Sequence, residues 1–342
     1  MITLELTPPA ILPALQGCTF RPARLEDMPA LHALLVAAAN ADGRDRVDSL
    51  ADLQTQFDDP WSNPETDSLL GFTSGGQLAA FARAFVHPEP EREVCAHLWL
   101  EVHPDHRAPE LIDATLNWLE ARGLERLLNS PAHLPRSLRF GVQDDVAWHI
   151  TLLEQRGFQP VRYFYRMRRD LSQPIPTGPL PPGFSFSRYT PELDDAMLAV
   201  FNESFRDHWG FETVIREDWE KFFIGRASFR PDLSRLVFDN SGNSPEAAGF
   251  SFNTVDREEN ARLGIKEGWV GDLGVRRPWR RRGLATALLC ESMRLFKAEG
   301  LDYATLGVDT ENPTGALGVY ERVGFAPVRR MVAFDKPLKS VI

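Results

Sequence analysis

The sequence predicts an α+β protein built from two consecutive copies of one unit, and three observations carry this. The 342 residues exceed one ordinary domain and suit two. The segment SQPIPTGPLPP, residues 172–182, sets five prolines in eleven residues almost at the midpoint. Proline fixes φ and lacks an amide donor, so this stretch neither continues a helix nor enters a sheet, and reads as a semi-rigid spacer. The closing pieces LEQRGFQPVRYFYRMRRDL and YERVGFAPVRRMVAFDKPL stay in register, with Gly157 and Gly324, like Leu171 and Leu338, 167 residues apart. The expected division is residues 1–171, a linker 172–182, and residues 183–342.

The elements repeat in order. Each half opens with an extended piece and a helix, Phe20 to Ala39 and Phe184 to Phe205. A hairpin follows, with turn residues between apolar runs. In the first half Leu69–Thr73 and Leu78–Phe85 flank Gly75-Gly76; in the second Leu236–Asp239 and Ala247–Asn253 flank Asn240-Ser241-Gly242-Asn243. Next come an apolar strand, a loop and an amphipathic helix, over Leu98–Gly123 and Trp269–Gly300. A strand, a short helix ending in Gly-Phe and a final strand close each half.

Composition narrows the function. With 38 basic and 48 acidic residues the net charge is −10, and 43% hydrophobic with 25% charged residues is ordinary for a folded globular chain. The acidic excess argues against a general binder of nucleic acid or anionic membrane, whose affinity comes from neutralising phosphate. Cys18, Cys95 and Cys290 lie far apart without a metal-type spacing, so neither a disulfide framework nor a metal site is expected. The N-terminal MITLELTPPAILPALQG lacks a basic start and carries prolines, unlike a signal peptide, and no run reaches the roughly 18 apolar residues that span a bilayer. A cytoplasmic protein is the expectation.

One segment carries chemistry. In WVGDLGVRRPWRRRGLATALLCESMRLFKAEG, Trp269–Val275 reads as a strand. From Gly283 onward Ala285, Leu288, Leu289, Leu295 and Phe296 recur at helical spacing. Between strand and helix lie Arg276, Arg277, Arg280, Arg281 and Arg282. A glycine at a helix start lets amides approach an anion, the helix dipole favours it, and arginines add charge-assisted bonds. This reads as a site for a polyphosphate-bearing ligand; the alternative is a solvated basic loop or nucleic-acid patch.

RRRGLA at 280–285, after an apolar strand, resembles the acyl-CoA loop of the GNAT N-acetyltransferase superfamily, Q/R-x-x-G-x-G/A, through Arg280, Gly283 and Ala285. One strand and helix later, NPTGALGVYERVGF (312–325) resembles the same superfamily through Asn312, Tyr320 and Gly324-Phe325. The resemblance covers residues 184–338, and the first half in outline; the tandem layout is similar to that of mycothiol synthases and their relatives. It implies two tandem GNAT-like domains, each a mixed, mainly antiparallel sheet flanked by helices. It further implies acetyl-CoA as cosubstrate, with no metal. The pyrophosphate would lie on the backbone of Arg281, Arg282, Gly283, Leu284, Ala285 and Thr286, beside Arg280. Pantetheine would pair with Leu273, Gly274 and Val275 and with Asn312. Tyr320 matches the general acid: a phenol with a reference pKa of about 10 stays protonated and can donate to a departing thiolate. Its alternative is a core tyrosine, and that of Asn312 is a helix N-cap before Pro313.

The base is less defined. Counting by twos from Val275 puts Leu273, Gly271, Trp269 and Glu267 on one face, with Asp272 facing away unless a bulge re-aims it. Glu267 and Asp272 are the candidates, and each also reads as structural. Asp207, His208, Trp209 and Gly210, with Glu212, Glu217 and Trp219, fall where these domains form the acceptor wall, and Trp269 stands close by. Carboxylates with indoles suit a cationic amine, and a solvated turn over an inward tryptophan is the plain alternative.

The first half lacks these parts. Leu100–Gly123 spans 24 residues against 28 for Leu273–Gly300, His103–Pro109 has no glycine, and Pro109 removes an amide. Leu153 stands opposite Tyr320 and Asp145 opposite Asn312. His103 and His106 alone make no metal set. The expectation is a degenerate first unit, and an N-acetyltransferase acting on a small-molecule amine by direct attack. A ping-pong route would need an activated nucleophile, and Cys290 has no evident partner. A CoA-binding sensor without catalysis, or acetylation of a protein N-terminus, are the other readings. The acceptor's identity and the oligomeric state are not legible.

Overall fold

The computed structural model describes residues 11–44, 46–57, 61–312 and 315–338. The first ten residues of the N-terminal stretch and Pro313 lie outside them. The strands are β1 (Cys18–Arg21), β2 (Ser68–Thr73), β3 (Leu78–Val86), β4 (Val94–Val102), β5 (Arg136–Gln143) and β6 (Gln159–Asp170), then β7 (Phe184–Arg188), β8 (Arg235–Asp239), β9 (Glu246–Thr254), β10 (Glu267–Val275), β11 (Tyr303–Asp309) and β12 (Ala326–Pro337). The alternating apolar runs at both hairpins become β2/β3 and β8/β9.

The chain packs as two units. One runs to Val161 and resumes at Val332; the other is Arg162–Met331. In the first unit β1, β2, β3 and β4 pair antiparallel in that order, and β5 lies parallel to β4. Leu31, Leu34 and Leu35, spaced for one face of the helix Met28–Ala41, pack with Leu70 and Phe81 of the sheet. Beyond Val332, β12 lies beside β5, where Arg139 donates to Asp335 over 2.7 and 2.8 Å, both residues buried.

In the second unit the strand order is β6-β11-β10-β9-β8-β7, antiparallel except for β10 and β11. The helix Leu284–Ala298 covers one face through Leu289, Met293 and Phe296, packed with Val270 and Leu306. The helix Asp194–Phe205 covers the other, where Phe201 joins Trp219, Phe250 and Phe252. Burying such side chains contributes roughly 1.5–3 kcal/mol each, so these two layers hold the sheet that carries the site.

The division by packing differs from a boundary at residues 172–182. Chain order alone put β6 with the first half, yet β6 hydrogen-bonds along β11 from Asp170↔Tyr303 to Phe164↔Asp309. Nor is the proline-rich segment a free spacer: Ile175 and Leu180 pack into the second unit's core clusters, and Arg294 donates to the Pro176 carbonyl at 3.1 Å and to that of Thr177. Proline carbonyls remain acceptors, so an extended segment without amide donors still binds along a helix.

Candidate active site

The site forms where β10 leaves its parallel neighbour. β10 pairs with β11 only from Glu267↔Tyr303 to Val270↔Leu306, while on its other edge it follows β9 to Val275↔Gly249. The backbone of residues 271–275 is therefore unpaired on the β11 side, and an extended ligand arm can add there as a strand.

The β9 register shifts between Val270, opposite Asn253, and Asp272, opposite Phe252, leaving Gly271 as a bulge. One extra residue resets the alternation. Asp272 now shares the side of Trp269 and Glu267, whereas strict counting by twos placed Leu273 and Val275 there. Leu273 and Val275 instead pack toward Leu284 and Leu288 of the following helix. Two glycines flanking Asp272 within a strand, Gly271 and Gly274, were the available signal for a bulge.

Beyond Val275 the turn closes on Gly283. Arg281 has φ 61°, the one non-glycine residue with positive φ among the described residues, and Gly283 follows at φ 86°. A side chain in this region costs about 1 kcal/mol or more, so such turns persist where the surroundings enforce them. The first intrahelical bond runs from the Ala287 amide to the Gly283 carbonyl, 3.0 Å. The amides of Gly283, Leu284, Ala285 and Thr286 precede that ladder and point out at the positive end of the helix, an anion cradle.

The arginines divide their labour. Arg276 pairs with Glu203 (2.6 Å) and Glu246 (3.0 Å), and Arg277 with Asp207. Arg280 donates to the Val275 carbonyl and to the Ser204 carbonyl, each 3.0 Å, and so braces the turn. Arg282 lies over the Phe184 ring at 4.7 Å. Arg281 is exposed and has no partner among the described residues. Much of the basic run is thus engaged within the protein, because five adjacent cations need counter-charges of their own.

A cleft of about 780 Å³ opens over this turn, lined by Leu273–Val275, Arg280, Arg281 and Gly283–Thr286 on one side and Asn312, Ala316, Val319 and Tyr320 on another. The Ser204 hydroxyl, buried and without a hydrogen-bond partner among the described residues, also lines it. An unpaired strand edge, free amides and an orphaned hydroxyl suit the chain of amides and phosphates of an acyl-CoA.

Tyr320 is buried on the helix Ala316–Arg322. Burial, and then the nearby Asp272 charge, push its phenol up to about 12, so it carries its proton throughout the physiological range. Asp272 is half-buried, yet the protein around its carboxyl pushes it up to about 6, opposed by the Arg226 charge. A carboxylate of that basicity is ionised at neutral pH and takes a proton more readily than an ordinary aspartate. The Asp272 charge reaches the Tyr320 phenol, although Asp272 is not itself among the residues lining the cleft. Asn312 approaches His208 at 3.5 Å, both in the cleft wall, and burial lowers the His208 pKa, keeping it neutral.

Other expected residues land elsewhere. Glu267 is buried and saturated: Arg166, Arg168 (2.8 Å), Thr305 (2.9 Å) and Trp269 (2.9 Å) all donate to it. A carboxylate holding four donors is engaged structurally, which leaves Asp272 as the other carboxylate the sequence offered. Trp269 lies under Arg166 at 4.6 Å, outside the cleft lining. Asp207 lines the cleft but is held well down by Arg277. Trp209 stands near Phe164 and Arg162, and Trp219 is core, donating to Asp194 at 2.7 Å.

The first unit keeps part of the frame of this turn. Arg107 donates to the Val102 carbonyl (3.3 Å), as Arg280 does to Val275. There the likeness ends. Arg107 is bound by Asp42 over 2.6 and 2.7 Å, and Glu101, in the place of Gly274, accepts from Arg44 over 2.6 and 2.8 Å. The helix Pro109–Leu128 starts on a proline with no preceding glycine turn. The position of Tyr320 falls to the buried Leu153. His106 bonds Gln77, and among the described residues no three His, Cys, Asp or Glu side chains group to hold a metal. Cys290 is buried, its thiol pushed up by burial, and among the described residues no helix is long and apolar enough to cross a membrane.

The acetyltransferase (GNAT) family matches residues 185–325. A mycothiol acetyltransferase of Salinispora tropica is 30% identical over 305 residues, spanning 86% of this chain and 89% of the relative. That of Thermobispora bispora is 28% identical over 306 residues, 87% of this chain and 92% of the relative. Among solved structures, a GCN5-related N-acetyltransferase from Sphaerobacter thermophilus superposes with a TM-score of 0.73 at 26% identity, covering 96% of this chain and 98% of its own. A tandem GNAT protein from the clavulanic acid biosynthesis pathway shares the fold at a TM-score of 0.67 and 19% identity, with 94% and 98% covered. With the α+β tandem architecture, the glycine turn and the cleft in place, the chain belongs to the GNAT acetyltransferase family, as an acetyl-CoA-dependent acyltransferase among its tandem members similar to the mycothiol acetyltransferases.

Proposed function

We propose that the acceptor is a primary amine of a small molecule and that it attacks the thioester directly. The observation that carries this reading is the cleft beside the unpaired edge of β10, with Tyr320 in its wall and the Asp272 charge within reach of the phenol. A sequential transfer needs one group to take a proton from the attacking ammonium and another to give one to the departing thiolate. Asp272, raised to about 6, is the base at neutral pH. Tyr320, raised to about 12, is the acid. The ammonium gives one proton to Asp272, the nitrogen–acyl carbon bond forms, and the carbon–sulfur bond breaks as Tyr320 protonates the departing thiolate; the second proton lost by the nitrogen restores the Tyr320 phenol, and Asp272 returns its proton to solvent. Unpaired backbone groups of β10 next to the bulge supply donors for the developing oxyanion without reorganisation. Arg280, Gly283 and the amides to Thr286 hold the diphosphate, with Arg281 free to add a contact.

Thiol release from acetyl-CoA with a panel of small amines tests this. The names of the relatives put an amine precursor of mycothiol first in that panel. Turnover with at least one small amine is the expected result. CoA binding without turnover would favour a sensor, and turnover confined to peptides with free N-termini would favour protein acetylation.

A further inference from the structure

Among the described residues Ser204 carries the one buried hydroxyl without a hydrogen-bond partner, and of the buried polar side-chain atoms left unpaired it alone lines the cleft. The residue is only 4% exposed. On the helix Asp194–Phe205, Met197, Val200, Phe201 and Ser204 recur at the spacing of one face, and the first three pack in the core. A serine in the fourth place of that stripe sets a polar atom where an apolar one would pack, at a cost in free energy while it stays unpaired.

The usual local remedy is not taken. Helical hydroxyls bond back to the carbonyl four residues earlier, as Thr55 does to Ala51 (3.0 Å) and Thr115 to Leu111 (2.8 Å). Ser204 makes no such bond to Val200. Its own carbonyl accepts from Arg280 at 3.0 Å, the guanidinium that also holds the Val275 carbonyl, so the end of the helix is tied to the end of β10. Gly274 supplies the space. A Cβ built there would lie 2.7 Å from the Ser204 Cβ, 2.9 Å from its Oγ and 2.6 Å from the Phe250 ring. The hydroxyl therefore rests against the middle of residues 273–275, the edge that β11 leaves unpaired.

We infer that Ser204 binds the cosubstrate, its hydroxyl forming a hydrogen bond with an amide of the pantetheine arm when the arm adds along residues 273–275. This rests on the reading of that edge as the seat of the arm. Position separates the arm from the diphosphate: the amide cradle begins at Gly283, beyond the turn, whereas the hydroxyl stands at Gly274 within the strand. An amide of the arm can accept from a hydroxyl or donate to it. Because the Ser204 hydroxyl is already stripped of water and unpaired, it has no hydration left to lose, and the bond made in the complex counts nearly in full.

The experiment measures the affinity of the wild type and of Ser204→Ala by calorimetry for two probes, CoA and 3′-phospho-ADP, the same nucleotide without its arm. Melting of both proteins without ligand is the second readout. Ser204→Ala is expected to weaken CoA by about 3–10-fold, the scale of one lost hydrogen bond, and to leave 3′-phospho-ADP unchanged. The unliganded variant should melt no lower than the wild type, because the truncation removes an unpaired atom and nothing else. Unchanged CoA affinity, an equal loss for both probes, or a lower melting temperature in the variant each overturn the inference. A wild type that binds neither probe overturns instead the reading of the cleft as the CoA site.

Discussion

Replacing Asp272 by Asn tests the site through activity and stability at once, with opposite signs. A carboxyl with a pKa of about 6 is about nine-tenths ionised at pH 7 and about one-tenth at pH 5. The wild-type kcat/KM is therefore expected to climb about tenfold from pH 5 to pH 7 and then level off. Asp272→Asn removes that limb and lowers the plateau by about 10²–10⁴-fold, the scale of a lost general base. Stability moves the other way. The folded protein holds the Asp272 proton up to about 6, against 3.8 for an ordinary aspartate. Between those values the unfolded chain has released a proton that the folded one keeps, so stability falls as pH rises through this window, and the loss is complete above it. The full shift corresponds to about 3 kcal/mol; partial solvent access and the amide's own burial cost discount it to roughly 1–2 kcal/mol. At pH 7 the variant should melt several degrees higher than the wild type, on the scale of about 2–4 °C per kcal/mol for a unit of this size. Near pH 3 both forms are neutral and the difference should vanish. Calorimetric melting across pH 3–8 beside initial rates of thiol release gives both numbers. A variant that melts lower at pH 7, or that keeps the acid limb of the rate, refutes the reasoning.

Three further outcomes are expected. Tyr320→Phe should lower kcat by about 10²-fold or more with acetyl-CoA affinity unchanged by calorimetry; equal turnover removes the phenol from the mechanism. Gly283→Val should weaken CoA binding, since a β-branched residue resists φ near 86° and crowds the amides, whereas Pro109→Ala should leave it unchanged; a loss of equal size in both would detach binding from the Gly283 turn. Glu267→Gln leaves Arg166 and Arg168 without their shared charge and should destabilise the protein by about 3–5 kcal/mol by denaturant titration, while the kcat of the remaining folded enzyme holds. A stable Glu267→Gln protein with lost turnover would return the base role to Glu267.

The legible parts of the site were those whose chemistry is local. Gly283 is needed because the turn takes positive φ there, and Arg280 recurs three residues before it because one side chain must brace the carbonyls at the end of the strand. Tyr320 could be marked only through the resemblance of NPTGALGVYERVGF to the family motif. The base could not be fixed, because strand parity assumes an unbroken ladder and the bulge at Gly271 inverted it. Glu267 had a workable parity, yet its four donors come from β6, β10 and β11, whose meeting no spacing reveals.

By itself the sequence determined the α+β repeat and the glycine turn, since periodicity and backbone freedom are properties of neighbouring residues. Tertiary structure decided which carboxylate is saturated with donors, which arginines are spent on counter-charges, and that β6 and the proline-rich segment pack into the second unit. The physical reason is the same in each case. Desolvation, ion pairing and strand partnership depend on what other segments bring within a few ångströms, and that distance is unrelated to separation along the chain.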